Sequence, residues 1–289
     1  MDNERYDRNI RFFGKEGQER LGAAKVAVVG IGGLGTHVVQ QLALLGVGQL
    51  VLIDPQDLDR TNFNRYIGVS YDDPVPGTLK VDIGSRIVKK MNPETRVVRI
   101  PDSLLSQRAF KAVIASDYIF GCLDREGARL ILNELCSAYS KPYFDLASEI
   151  FSGNPPQYGG RLCVAWDGRG CIVCYRELDV AEAQTDLMNP KVRQDRDTIY
   201  GVPRELLGEA GPSVVSINGV IASLAVTEFM LLVTGVRTIP KRLITYRAHT
   251  GGVSVKTDDP EPDCYYCVGL RGKGDAADVQ RYLRSGISL

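Results

Sequence analysis

The chain has 289 residues, 44% of them hydrophobic and 24% charged, with 35 lysines and arginines set against 35 aspartates and glutamates. That is the make-up of a globular protein with an ample core, and the balanced charge leaves nothing to draw it onto nucleic acid or an anionic membrane. The charged opening MDNERYDRNIRFFG is unlike a secretory signal, and seven cysteines behind it point to reduced thiols or a metal site in the cytoplasm rather than a disulfide framework.

In chain order, residues 1–24 read as an N-terminal helical arm, and KVAVVG follows as a buried strand. Gly30, Gly32 and Gly35, with Gly33 between them, satisfy G-x-G-x-x-G before GLGTHVVQQLALLG, an apolar helix ending at Gly46 as its cap. Such a turn presents backbone N–H groups and the positive end of a helix to a phosphate. QLVLID is a second strand ending on Asp54, and an irregular, proline-containing stretch leads to the helix TLKVDIGSRIVKKMN. TRVVRI, DYIFGC and KPYFDLA read as strands and REGARLILNELCSAY as a helix. This alternation predicts a Rossmann-like, doubly wound, mostly parallel α/β sheet. YGGRLCVAW, RLITYRAH and GGVSVKT alternate as antiparallel strands extending it. The long apolar helix from about Ser213 carries Glu228 and is read as a core helix, not a membrane span. No repeat or low-complexity linker divides the chain, so residues 1–289 are read as one domain.

The glycines do not say which phosphate is bound. Asp54 at the end of the second strand suits a ribose diol in a dinucleotide or in ATP alike. Asn62 and Arg65 in TNFNRY and Lys80 at the next helix favour a triphosphate, which needs more fixed cations than a pyrophosphate bridge. Asp124, ending YIFGCLD, suits Mg²⁺ beside phosphates, and equally the N-cap of the helix after it. His37 faces either solvent or phosphate.

RYDRNI, VVGIGGLGTHVV, LVLIDPQDLDRTNFNRY, PGTLK and GCLD occur in that order. The succession resembles the MoeB/ThiF/HesA family, the adenylating core related to ubiquitin-activating enzymes, over nearly the whole chain. The resemblance implies an ATP-dependent adenylation site in which Asp54 binds the ribose, Asn62, Arg65 and Lys80 hold the phosphates, and Asp124 holds Mg²⁺. Arg8 matches the arginine that members send into a neighbouring subunit's site, which implies a homodimer. The implied substrate is the C-terminal glycine carboxylate of a ubiquitin-like protein, activated for protein conjugation or sulfur transfer. Two positions depart from the family pattern: Gln56 stands where a second acid is usual, and Arg125 where asparagine is.

CIVC (Cys171, Cys174) and CYYC (Cys264, Cys267) form a two-plus-two set of thiols that suits tetrahedral Zn²⁺, with redox chemistry as the other reading of the pairs. Many members of the family carry a structural zinc held by two such pairs, so the resemblance implies the same for a C-terminal tail, residues 257–289. Cys122, Cys136 and Cys163 lie in apolar strands or a helix and are read as buried. Residues 175–212 correspond to the family's crossover loop, where thioester- or persulfide-forming relatives place a cysteine. Leu207 stands there in this chain, and no cysteine occurs between Tyr175 and Asp263; Thr185, Thr198, Ser213 and Ser216 offer only hydroxyls. The expectation is an adenylate handed to a downstream acyl acceptor, a conjugating-type enzyme or sulfurtransferase. Against this stand an NAD-dependent oxidoreductase, a non-catalytic subunit that binds a ubiquitin-like protein, and an adenylase of a small molecule or RNA.

Overall fold

The computed structural model describes residues 4–151, 154–188, 212–256 and 259–285. Its frame is an eight-stranded sheet in the order β3-β2-β1-β4-β5-β6-β7-β8. The strands are β1 (Lys25–Val29), β2 (Gln49–Ile53), β3 (Arg96–Ile100), β4 (Tyr118–Gly121), β5 (Tyr143–Phe151), β6 (Gln157–Ala165), β7 (Leu243–Arg247) and β8 (Gly252–Lys256). The first five run parallel and the last three antiparallel. This is the mixed sheet expected, and it carries one break in the winding, where β1 is flanked by β2 on one side and β4 on the other.

The helices divide between the two faces of the sheet. Val26 and Val28 point into one apolar cluster and Ala27 and Val29 into the other, which is why β1 reads as an unbroken apolar run rather than an alternation. The face lined by Val26 and Val28 is covered by α1 (Asp7–Ala23), α2 (Gly33–Leu45), α3 (Lys80–Met91) and the long α7 (Val215–Thr234). The other face is covered by α4 (Gln107–Ile114), α5 (Glu126–Ala138), α6 (Val180–Asp186) and the segment ending in α8 (Arg281–Arg284). Gly46 closes α2 in the left-handed conformation, φ 81°, as its position after the apolar run predicts. Helix α7 is long and apolar enough to cross a membrane. Ile221, Ala222, Ala225 and Phe229 sink instead into the protein core, and the buried Glu228 accepts from the Lys241 N–H at 2.8 Å and pairs with Arg237.

Candidate active site

The carboxyl ends of β1, β2 and β4 open at that break in winding order, the place where doubly wound sheets bind ligands. Gly30 leaves β1 at φ +89°, and its N–H donates to the Ile53 carbonyl at 2.9 Å. A side chain there would strike the Cys122 carbonyl at the end of β4, and one at Gly35 would strike the Gly30 carbonyl. The missing side chains thus let the turn press against β4 and enter α2 directly. No side chain caps α2, so its first N–H groups and positive end are left to the crevice.

Charged groups ring this turn. Asp54 is buried, and its two oxygens accept from the N–H of Ile31 (2.7 Å) and of Gln56 (2.9 Å). Burial pushes its carboxyl above the usual range, against the lowering influence of Lys80 and the two N–H groups, while Asp124 adds to the rise. Lys80 is buried at the start of α3, with its Nζ donating to Gln56 Oε1 at 2.6 Å and 5.5 Å from the Tyr66 ring centre. Gln56 therefore meets the cation with a neutral oxygen where the family pattern has an acid. The Arg65 stem lies along Gly33, and its guanidinium is 5.7 Å from the same Tyr66 ring while donating to the Thr61 carbonyl. Asn62 is buried in a 3₁₀ turn (Arg60–Asn62) and its Oδ1 accepts from the Asp59 N–H at 3.0 Å, so one end of its amide is spent on the turn. Asp124 is exposed just past β4. The fold thus gathers the glycine turn, Asp54, Asn62, Arg65, Lys80 and Asp124 at one mouth, and adds Tyr66, which the sequence reading quoted without a role.

One detail differs from the readings open at the sequence level, and two more residues are placed by the fold. Asp124 does not cap α5; the N–H of Gly127 instead donates to Asp186 of α6 at 3.1 Å. His37 is half-buried against α7, where its ring packs on Gly219 and bonds the Val215 backbone, with burial holding its pKa down. Arg8 is exposed near the far end of α2, where neighbouring Asn9 bonds Gln18 and Gln18 bonds the Leu45 carbonyl. A helix of 13 residues is about 20 Å long at 1.5 Å per residue, so Arg8 lies well away from its own chain's glycine turn.

Behind the mouth lies a polar cluster with no local signature in the sequence. Asp145 of β5 is fully buried and bonds Arg129 of α5 at 2.6 Å, Arg161 of β6 at 2.8 Å and the Tyr143 hydroxyl at 2.7 Å. Both arginines also donate to the Glu177 carbonyl, and Glu126 accepts from the Asp179 N–H at 2.8 Å. The cluster therefore ties the start of the 175–212 segment to α5, next to Asp124. Leu207 and Thr198 lie outside the described residues.

The four paired cysteines converge on the α5 face of the sheet, opposite α2 and α3. Their sulfurs all lie within 4.8 Å of one another, with Sγ–Sγ separations of 3.9 Å for Cys171–Cys174, 3.8 Å for Cys171–Cys264 and 3.4 Å for Cys174–Cys267. A tetrahedron with Zn–S bonds of about 2.3 Å has edges of roughly 3.8 Å, so the donor set fits a closed zinc site. Cys136 and Cys163 are buried and Cys122 is partly buried, and desolvation raises all three thiols well above the usual range.

Fold and site together define a doubly wound α/β protein whose glycine turn, at the break in winding order, is ringed by fixed charges. The chain belongs to the ThiF family, which it matches over residues 6–266. It is 35% identical over 152 residues to the SAMP-activating enzyme E1 of Haloferax volcanii, covering 52% of this chain and 56% of that protein. It is 27% identical over 274 residues to the adenylyltransferase and sulfurtransferase MOCS3 of Drosophila yakuba, covering 92% of this chain and 53% of that one. The chain spans about half the length of these curated relatives. Crystal structures of E. coli MccB, one of them with ATP, share the fold; that with MccA-N7isoASN has a TM-score of 0.71 at 21% identity, over 92% of this chain and 75% of MccB.

Proposed function

We propose that the protein is an ATP-dependent adenylating enzyme that activates the C-terminal glycine carboxylate of a ubiquitin-like protein. The observation that carries this reading is the convergence of Asp54, Arg65, Lys80 and Asp124 on the uncapped start of α2. A dinucleotide site accounts for the glycines and Asp54 but leaves the two cations without a task. The names of the matched relatives, an E1 and an adenylyltransferase, support the same reading. A non-catalytic binding subunit has no use for the full set of charges.

In this reading Asp54 holds the ribose, while Asn62, Arg65, Lys80 and the α2 N–H groups hold the phosphates. Asp124 would hold Mg²⁺, which supplies charge neutralisation at the polyphosphate. A carboxylate oxygen of the substrate bonds to the α-phosphorus as the bond from that phosphorus to the bridging oxygen breaks. The products are an acyl-adenylate and pyrophosphate, and no proton is transferred. The chain's own contribution is fixed positive charge aimed at the departing pyrophosphate, together with orientation of the two reactants. Arg8 acts in the site of a second copy, which accounts for its distance from its own. Cys171, Cys174, Cys264 and Cys267 hold a structural Zn²⁺ that joins the segment after β6 to the C-terminal tail.

With four thiols given to zinc and the other three held in the neutral form by desolvation, the chain hands its adenylate to an acceptor on another protein. ATP–pyrophosphate exchange dependent on a ubiquitin-like protein, with no covalent adduct on denaturing gels, is the expected outcome. Hydride transfer to a nicotinamide in place of exchange would overturn the reading. An adduct that maps to one residue of this chain would overturn the hand-off.

A further inference from the structure

Asn218 lies in the first turns of the largely apolar α7 and is 1% exposed. Its Nδ2 donates to Ser213 Oγ at 3.1 Å and stands 2.5 Å from the point a Cβ on Gly33 would occupy. Its Oδ1 is buried without a hydrogen-bond partner among the described residues. A buried amide oxygen left without a donor is costly, so a structural clamp alone is a poor account of an asparagine here. The start of α7 also has no side-chain cap. Two uncapped helix N-termini, of α2 and α7, therefore meet across Gly33 with the Arg65 stem beside them. One positive end suffices for the phosphates. The reaction proposed above brings in a second anion, and that anion is the terminal carboxylate of an extended peptide.

Resting on that reading, we infer that Asn218 and the N-terminus of α7 form the subsite for the substrate's last peptide unit, Asn218 binding its amide and carboxylate across Gly33. An asparagine suits this because rotation about χ2 exchanges donor and acceptor. Oδ1 can take the terminal peptide N–H while Nδ2 serves the carboxylate. Aspartate has the same shape but offers a negative charge to an anion, and serine keeps a polar group without the reach.

The test uses a synthetic hexapeptide ending in Gly-Gly, as the free acid and as the carboxamide, with a non-hydrolysable ATP analogue present. Saturation-transfer NMR reads peptide binding, and calorimetry reads the analogue. The full-length protein should bind the free acid at least tenfold more tightly than the carboxamide. Asn218→Asp should remove that preference, and Asn218→Ser should weaken the free acid about tenfold, with analogue affinity and melting temperature in both variants close to the parent. An unchanged acid preference in Asn218→Asp would overturn the inference. So would equal losses of peptide and analogue, which would assign Asn218 to the phosphates. Parent protein that binds the analogue but does not distinguish acid from carboxamide defeats this subsite alone, whereas failure to bind the analogue at all defeats the ATP reading beneath it.

Discussion

At the scale of single residues, Lys80 and Asp145 show two uses of a buried charge. Lys80 faces a crevice, and its hydrogen bond goes to the neutral oxygen of Gln56 rather than to a carboxylate, so its charge is available to an incoming polyphosphate. Lys80→Ala and Arg65→Ala are each expected to cost about 2.7–4 kcal/mol in the exchange reaction, the scale of lost electrostatic donors in comparable sites. Asp124→Asn should fail similarly, with all three proteins melting near the parent. Exchange within twofold of the parent in all three would remove the assignment. Asp145 is neutralised internally. Burial alone would lift its carboxyl, but Arg129 and Arg161 overcome that and hold it at about 2, below the ordinary 3.8. A depressed carboxyl stabilises the fold above its unfolded pKa, and the benefit is lost as pH falls from about 4 toward 2; its full size is about 2 kcal/mol. Acid unfolding of Asp145→Asn should therefore show a flatter pH dependence in that window, and an unaltered acid limb would contradict the account. Asp54 and Lys80 were legible in the sequence because a strand end and a helix start fix where they sit, and Arg65 because TNFNRY carries the family resemblance. Asp145 and Asn218 were not, since their partners come from elements distant in the chain.

At the scale of elements, the strands and helices of the first half followed from apolar runs broken by glycine, proline and polar turns. The antiparallel direction of β6, β7 and β8 was also legible from alternation, whereas the facing of α2 was harder to read. Its apolar residues surround the axis, so no periodic stripe says that His37 turns toward α7. The cap of α5 went astray for a related reason. Asp124 is adjacent in sequence and chemically suitable, yet α6 folds back and supplies Asp186 instead. The cysteine pairs belong to this scale too, because they connect a turn after β6 to the tail. Serine at any one of the four should lower the melting temperature and the yield before it changes nucleotide affinity, since structural zinc contributes about 10–16 kcal/mol in small zinc modules. Freshly purified protein should carry zinc by elemental analysis. Finding no metal there would overturn the site.

At the scale of the whole molecule, the distance between Arg8 and its own glycine turn makes a prediction about copies. A mixture of Arg8→Ala and Asp124→Asn proteins should recover exchange activity, because a hybrid pair contains one intact site. With subunit exchange verified, no recovery would mean that Arg8 does not serve a neighbour. The sheet order carries a separate consequence, for how the chain is made. Strands β1 to β5 are complete by Phe151, but β6 pairs with β7 through Cys163 opposite Leu243, and Cys171 meets Cys264. During synthesis, β6 can dock on β5 while its other edge waits for β7. At about 5–20 residues per second that interval lasts roughly 4–16 s, and an open strand edge is a hazard for mispairing throughout it. Ribosome-bound chains halted between Ala165 and Leu243 should be cut by protease within β6 and should recruit chaperones, whereas chains extended past Cys267 in the presence of zinc should resist both.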